Sequence, residues 1–212
     1  MARIAFDPDQ DLNLAFSTPI VRVPVLEAER INPELKAAIL QKERDGEEMV
    51  RSNRGGWQSK NDLLTWPVPE VKVLAEAIYE AVTQVHSKVC DFKGRQFDLA
   101  INAWANICRE GAYHSRHNHG QSHWSGVYYV EEGETNTDWP MSGILEFSDP
   151  RERAECGGVP GATTGESLCL PPRTGTLTLF PGWLYHTVNP YHGRAERISI
   201  SFNASFRNVK KL

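Results

Sequence analysis

The stretch that decides the fold is Gly111 to Val130, GAYHSRHNHGQSHWSGVYYV. It contains four of the seven histidines and ends in a β-type run, SGVYYV, at residues 125–130. Side chains two residues apart on a strand point to the same face. We therefore expect His117 and His119 to present two imidazoles to one metal ion, with Asn118 turned away. A further ligand has to come from another part of the chain.

That further ligand is predicted to be His186, in the turn-flanked apolar segment FPGWLYHTVNP, residues 180–190. A close pair and a distant single histidine suit a β-barrel cup in which non-adjacent strands meet around an ion. An isolated loop histidine is more often solvated or hydrogen-bonded. We give this second interpretation to His114, His123 and His192.

The last predicted strand, RISISFNASF at residues 197–206, alternates clearly. An arginine, two serines and an asparagine share one face, and apolar side chains occupy the other. The polar face, headed by Arg197 and Ser199, is predicted to line the cup. The apolar face is expected to pack on the helices or on a second sheet. Residues 97–108, FDLAINAWANIC, alternate similarly and place Asn106 on a polar face.

Two helices are predicted before the β-rich part. The first has Asn32-Pro33-Glu34 as its start and ends near Arg44, and the second runs from Pro69 to about Val89. Short strands separated by glycine and proline turns follow. The sequence therefore predicts a mainly β fold, a double-stranded β-helix (jelly roll) with supporting N-terminal helices.

At 212 residues the chain is long enough to bury a sizeable core, and we expect one domain over residues 1–212. Residues 1–96 are predicted to give strand and helix support, and residues 97–206 the jelly-roll catalytic core. Two polar loops, 51–64 and 151–174, are expected to set substrate choice. The first, either a lid or a connection, centres on Trp57, which is predicted to be exposed.

Composition excludes several classes of protein. A net charge of −4 without a basic stripe gives no reason to expect nucleic acid as a partner. No apolar run is long enough to span a membrane, and the N-terminus has no signal-peptide pattern. The 4 cysteines lack CxxC spacing, so a zinc ribbon is not indicated. A cytoplasmic protein is expected, and the oligomeric state stays open, a homodimer included.

Residues 100–206 resemble the iron(II)/2-oxoglutarate-dependent oxygenases, in particular their prolyl-hydroxylase-like branch. GAYHSRHNH matches the approach to that family's metal-binding pair, and SGVYYV matches the strand whose tyrosine contacts the co-substrate. SGILEF, residues 142–147, matches a later strand, and PGWLYHTVNP carries the distal histidine. A closer likeness is to a subfamily with His-x-His followed by SGVYYV, for which no substrate is implied.

The resemblance implies a cupin-like site for Fe(II), 2-oxoglutarate as co-substrate and O2. It implies no catalytic side chain beyond the metal centre. Asn106 either touches the co-substrate or is an ordinary polar residue of the strand. The implied metal ligands are His117, His119 and His186, and the implied co-substrate residues are Arg197, Ser199, Tyr129 and Asn106.

The chain departs from the family pattern at the metal. Most members have a carboxylate where this sequence has His119. With 2-oxoglutarate bound, the centre would total about 0 charge rather than about −1, which makes higher iron oxidation states harder to reach. Imidazole suits Fe(II), so a three-histidine site is chemically workable. The alternative is a carboxylate from elsewhere, and Glu146 is the candidate.

The implied function is a dioxygenase, a hydroxylase by expectation, that couples 2-oxoglutarate decarboxylation to oxidation of an unknown prime substrate. That substrate is a small molecule or a peptide. Two alternatives stay open. One is a three-histidine cupin-type non-heme dioxygenase that does not use 2-oxoglutarate, in which Arg197 and Ser199 have no role. The other is a non-catalytic metal- or ligand-binding cupin.

Overall fold

Two antiparallel sheets and two helices form the fold in the computed structural model, which describes residues 7, 16–46, 48–90, 95–151 and 167–211. The helices are α1 (Ala28–Arg44) and α2 (Pro69–Val89), and a single 3-10 turn spans Leu63–Thr65. The strands are β1 (Val21–Pro24), β2 (Asn53–Arg54), β3 (Trp57–Gln58), β4 (Arg95–Cys108), β5 (Tyr113–His117), β6 (Trp124–Glu131), β7 (Leu145–Phe147), β8 (Leu168–Leu170), β9 (Thr176–Pro181), β10 (His186–Val188) and β11 (Arg197–Lys211).

The two sheets interleave distant parts of the chain. The larger sheet has six strands in the order β1-β9-β6-β11-β4-β3, and the smaller sheet has five in the order β2-β5-β10-β7-β8. Neighbouring strands in both sheets run antiparallel. The mainly β, double-stranded β-helix predicted from the sequence is confirmed.

The first helix begins earlier than predicted. It starts at Ala28 rather than at Asn32, and Pro33 lies inside it. Pro33 has no N–H to donate to the carbonyl four residues back, which normally disfavours this position. Asn32 does not cap the helix, because its Oδ1 accepts a hydrogen bond of 2.6 Å from the hydroxyl of Tyr128. The predicted start was wrong because contact with the sheet outweighs the local proline signal.

The helices cover one face of the larger sheet. Ile198, Ile200 and Phe202 of β11 are fully buried in a core cluster that also contains residues from both helices. The apolar face of the last strand therefore packs on the helices, as its alternation predicts. The helical contribution to this cluster consists of Ile31, Leu35, Ile39, Val71, Leu74, Ile78 and Val82.

The other face of the larger sheet looks towards the smaller sheet. Tyr129 and Phe180 of the larger sheet share a second core cluster with Leu145 and Phe147 of the smaller sheet. The rings of Phe147 and Phe180 lie 4.8 Å apart, edge to face. This apolar floor leaves the polar face of β11 directed into the space between the sheets.

The segment 51–64 contacts both sheets. Its strand β2 pairs with β5 of the smaller sheet, and β3 pairs with β4 of the larger sheet. Trp57, expected to be exposed, is only 7% exposed and packs in the helix-side core. That expectation was wrong because pairing with β4 turns the indole inward. In the loop 151–174, residues 152–166 lie outside the described part of the chain.

Candidate active site

Three histidines meet at one edge of the smaller sheet. His117 ends β5 and His186 begins β10, and the two are direct partners across this strand pair. His119 lies beyond the end of β5, where its N–H donates 2.7 Å to the carbonyl of Gly182. One ring nitrogen of each histidine lies within 4.8 Å of one ring nitrogen of the other two. The structure thus brings together the three predicted metal ligands.

The ring orientation of two of these histidines is set by the main chain. Nδ1 of His117 donates to the carbonyl of Ser115 at 2.7 Å, and Nδ1 of His186 donates to the carbonyl of Leu184 at 2.9 Å. A proton on Nδ1 leaves Nε2 with its lone pair free. This is the usual arrangement of histidines that bind metal through Nε2.

Burial keeps the three imidazoles uncharged. Burial, together with the smaller effect of the neighbouring His117, lowers the pKa of His186 to about 3 and the pKa of His119 to about 4. Burial also lowers the pKa of His117, against a smaller opposing effect of the hydrogen bond to Ser115. A metal needs neutral imidazole. The histidines are therefore in the ligating form at neutral pH.

The space around these histidines is a cavity with two sections that share part of their lining. The inner section has a volume of about 580 Å³ and holds all three histidines. The outer section, of about 730 Å³, opens past His119. Both sections are large enough for a small organic ligand. Four residues line both of them: Asn61, Asn118, His119 and Asn203.

Glu146 lies outside this cavity. It sits on β7 between Leu145 and Phe147, whose side chains are buried on the opposite, inward face. Its carboxylate accepts a 2.9 Å hydrogen bond from Nδ2 of Asn189. No carboxylate lines either section among the residues that the structure describes. The alternative of Glu146 as a ligand therefore has no support from the geometry.

A buried arginine lies in the inner section. Arg197 is 1% exposed, and its Nη2 lies 3.5 Å from the hydroxyl of Tyr129. Its Nε is buried without a hydrogen-bond partner. Gly143, at a φ of 63°, leaves room for this side chain, since an added Cβ would lie 3.1 Å from Cδ of Arg197. Ser199 is the cross-strand partner of both Tyr129 and Asn106.

The positive charge of Arg197 has no counter-ion among the described residues. Its neighbours Cys108 and Tyr129 do not supply one, because burial raises the pKa of the Cys108 thiol and of the Tyr129 hydroxyl. A buried unpaired charge is costly. The inner section is therefore built for an anion.

Two asparagines of β4 lie at different depths. Asn106 is 1% exposed and donates 3.0 Å from Nδ2 to the hydroxyl of Ser201, while its Oδ1 has no partner. Asn102 is exposed and lines the outer section. Asn106 lines the inner section, and a hydrogen-bond donor close to its buried Oδ1 would satisfy this oxygen.

His114 is a cavity residue that the sequence did not indicate. We expected it to be solvated or hydrogen-bonded in a loop, yet it is 8% exposed and lines the inner section. The register of β5 against β10 shifts between His117 and His114, where the two residues Ser115 and Arg116 of β5 oppose the single residue Thr187 of β10. Such a bulge places residues of odd spacing on one face. Strict alternation would have put His114 outside.

Ser52 and Trp104 also line the inner section. The hydroxyl of Ser52 lies 3.3 Å from Nδ1 of His114 and 3.3 Å from Nε2 of His117. The ring of Trp104 lies 5.8 Å from that of His119. Trp104 lies two residues before Asn106 in the alternating segment 97–108, so the alternation puts both on one face, whereas no local pattern indicates the position of Ser52.

Sequence comparison identifies the family of this chain. Residues 102–203 match the family model for 2OG-Fe(II) oxygenases. The match covers 102 of the 212 residues, just under half of the chain. The resemblance seen in the sequence is thereby confirmed, as are the assignment as an Fe(II)/2-oxoglutarate-dependent oxygenase and the cofactors Fe(II), 2-oxoglutarate and O2. The cupin alternative without 2-oxoglutarate and the non-catalytic alternative are set aside. No curated protein matches this oxygenase in sequence.

Solved structures share the fold of the oxygenase at low sequence identity. A prolyl-4-hydroxylase from Pseudomonas putida has a TM-score of 0.65 and 19% identity, covering 90% of this chain and 93% of its own. A Trichoplax adhaerens prolyl hydroxylase in complex with a hypoxia-inducible factor peptide has a TM-score of 0.62 and 14% identity, with coverages of 88% and 83%. HygX from Streptomyces hygroscopicus, with nickel, 2-oxoglutarate and hygromycin B bound, has a TM-score of 0.59 and 11% identity, with coverages of 89% and 83%.

Neither α1 nor α2, the two helices in the described ranges, is both long and apolar enough to cross a membrane.

Proposed function

We propose that this oxygenase holds Fe(II) through Nε2 of His117, Nε2 of His186 and a ring nitrogen of His119, and that it hydroxylates its prime substrate. Three neutral imidazoles on one side of the ion suit Fe(II) and leave positions open for other ligands. The unprotonated Nε2 atoms and the 4.8 Å spread of the ring nitrogens support this assignment.

We propose that 2-oxoglutarate binds in the inner section with one carboxylate paired to Arg197. The observation that carries this proposal is a fully buried arginine that has no carboxylate partner among the described residues and lies in the same cavity as the histidines. A guanidinium fork matches a planar carboxylate. The hydroxyls of Tyr129 and Ser199 and the carboxamide of Asn106 complete the polar side of the site.

When bound, Fe(II), 2-oxoglutarate and O2 supply the oxidative chemistry, in which decarboxylation of the co-substrate is coupled to oxidation of the substrate. The protein positions these groups and excludes water from around them. Leu145 and Phe180 line the inner section opposite Arg197 and belong to the inter-sheet core. A low-dielectric wall strengthens the pairing of Arg197 with a carboxylate.

The three proposed histidine ligands carry one negative charge fewer than a set of two histidines and a carboxylate. A metal site of this kind holds dianionic 2-oxoglutarate more firmly by charge, because no protein anion competes with it. We therefore propose that His119 itself binds the iron, at the position where most family members have a carboxylate ligand.

The most direct test is an anaerobic titration of the Fe(II)-loaded protein with 2-oxoglutarate, monitored by the metal-to-ligand charge-transfer absorption in the visible. A band in the native protein that weakens in Arg197→Ala supports both assignments. Bound iron with no band contradicts the proposed co-substrate site. Arg194→Ala is a matched control, because Arg194 is exposed and lines neither section of the cavity described above.

We also propose one domain, in which residues 97–206 form the catalytic core and residues 1–96 support it. The three histidines and Arg197 all come from the later part, whereas α1 and α2 pack behind the larger sheet. The free thiols of Cys90, Cys108 and Cys169 favour a reducing compartment, and we propose the cytoplasm. The homodimer stays a prediction, and a measurement of molecular mass in solution would test it.

A further inference from the structure

The cavity is positively charged in a protein whose net charge is negative. The whole chain carries −4. Yet Arg51 and Arg197 line the inner section, Arg207 lines the outer section, and no aspartate or glutamate lines either one among the described residues. A cleft lined by charges of one sign attracts ligands of the opposite sign.

Arg207 is partly compensated, but Arg51 is not. Asp98 stands directly across the strand pair from Arg207, although its carboxylate accepts a hydrogen bond from Asn208. The guanidinium of Arg51 has no hydrogen bond or ion pair with any described residue; its backbone N–H donates 2.7 Å to Oδ1 of Asn53. Arg51 is therefore the lining cation whose guanidinium has no described partner.

The chain places Arg51 close to the metal ligands. The next residue, Ser52, has its hydroxyl 3.3 Å from Nε2 of His117, and both residues line the inner section. Arg197 lies deeper and is buried, whereas Arg51 is exposed. The two arginines thus lie at different depths of the inner section.

After 2-oxoglutarate has bound, the positive charge of Arg51 still has no anionic partner. Fe(II), three neutral imidazoles, Arg197 and dianionic 2-oxoglutarate together leave about one positive charge, and Arg51 raises this to about two. A site with a carboxylate ligand would be one unit lower. One further anion would bring the inner section closer to neutrality.

We propose that the prime substrate carries an anionic group, a carboxylate or a phosphate, that pairs with Arg51. This inference rests on the proposed function, because it assumes that 2-oxoglutarate occupies Arg197. The shared chemistry is an anion held near the ligand histidines, whether it belongs to a small acid or to an acidic residue of a peptide. The rest of the substrate meets the outer section.

The outer section favours a partner rich in hydrogen-bonding groups. Carboxamides both donate and accept, so they match amides, hydroxyls and carbonyls without requiring charge. Asn203 is already engaged, because its Oδ1 accepts 2.6 Å from Ser125. The carboxamides that line this section are Asn61, Asn102, Asn118, Gln121 and Asn203.

The test is equilibrium dialysis of the Fe(II)-loaded protein, without oxygen and at saturating 2-oxoglutarate, so that added acids do not occupy Arg197. One arm uses acetylated hexapeptide amides with a central aspartate or glutamate, matched to the same peptides with asparagine or glutamine. The other arm uses small carboxylic acids and phosphate monoesters, matched to their amides and alcohols. Mass spectrometry measures how strongly each compound is retained.

We expect at least one acidic compound to bind about tenfold or more tightly than its neutral match, as a charge-assisted pair predicts. The preference should disappear in Arg51→Gln and persist in Arg44→Gln, which loses the same charge outside the cavity. The arm that shows the preference identifies the source of the anion. Arg51→Lys should retain part of it, because the charge remains.

Equal retention of acidic and neutral compounds, retention of neither, or a preference that survives Arg51→Gln would overturn the proposal. The same dialysis measures 2-oxoglutarate itself. Loss of 2-oxoglutarate retention would count against the proposed function, whereas retained 2-oxoglutarate without acid preference counts against Arg51 alone.

Discussion

His186 and His117 are direct partners across the pairing of β10 with β5, and their ring centroids lie 4.4 Å apart. The proximity of these two side chains is a consequence of main-chain register. His119 then joins them through a backbone hydrogen bond to Gly182. The sheet thus positions His117 and His186, and a hydrogen bond just beyond β5 positions His119.

Removing His119 should weaken metal binding. We expect His119→Ala to lower Fe(II) affinity at least about tenfold, and His119→Asp to restore much of it, because either imidazole or carboxylate can complete the set. Anaerobic competition against a chelator measures this. His192→Ala, a histidine that pairs with Glu110 outside the trio, is the control. Unchanged affinity in His119→Ala would remove this residue from the proposed ligands.

Arg197→Met should affect stability and co-substrate binding differently. The buried cation has no counter-ion among the described residues, so an apolar replacement should not lower, and should even raise, the free energy of unfolding of the unliganded protein. Affinity for 2-oxoglutarate should fall roughly 10- to 100-fold, the equivalent of a charge-assisted bond. Urea unfolding with and without 2-oxoglutarate measures both. A large loss of stability without ligand contradicts this view.

Adjacent tyrosines should have separate roles. Tyr128 donates 2.6 Å to Asn32 of α1, so Tyr128→Phe should cost about 1 kcal/mol of unfolding free energy and leave 2-oxoglutarate affinity unchanged. Tyr129 faces Arg197, so Tyr129→Phe should weaken 2-oxoglutarate binding. Chemical denaturation and ligand titration on both variants give the comparison. Equal effects on both properties would show that the two faces are not independent.

Acid should destabilise the metal-free protein below about pH 6.5. His114 and His186 have pKa values of about 3 and His119 of about 4, all below the ordinary 6.5, so the unfolded chain binds protons first. Stability is therefore full above pH 6.5 and falls from there towards pH 3–4, by up to roughly 1.4 kcal/mol per pH unit for each histidine. Unfolding by urea between pH 8 and pH 5 measures the slope. A flat profile would show that these histidines are solvated.

The sequence predicted what short-range periodicity encodes. Helix α2 matches the predicted limits Pro69 and Val89, and alternation correctly divided β11 into a cavity face with Arg197 and a helix-side face. The metal-binding motif around His117 was also recognisable, because i,i+2 spacing and a distant histidine are properties of the sequence alone. The roles of these residues remain proposals.

The remaining features depend on contacts between distant residues. The bulge in β5 that turns His114 inward exists only through pairing with β10. The burial of Trp57 follows from its pairing with β4, and the early start of α1 follows from the contact of Asn32 with Tyr128. The proximity of Ser52 to His117 likewise joins segments that no local pattern connects. Each error arose where tertiary contact outweighed local preference.

The carbonyls of Ser115 and Leu184, which accept the Nδ1 protons of His117 and His186, belong to the peptide backbone. In many metalloproteins this task falls to a carboxylate side chain, which a single base change in the gene can delete. Here the acceptor is present whatever amino acid occupies position 115 or 184. The tautomer of both imidazoles therefore does not depend on which side chains occupy positions 115 and 184, and substitutions at either position should leave Nε2 unprotonated for the proposed metal.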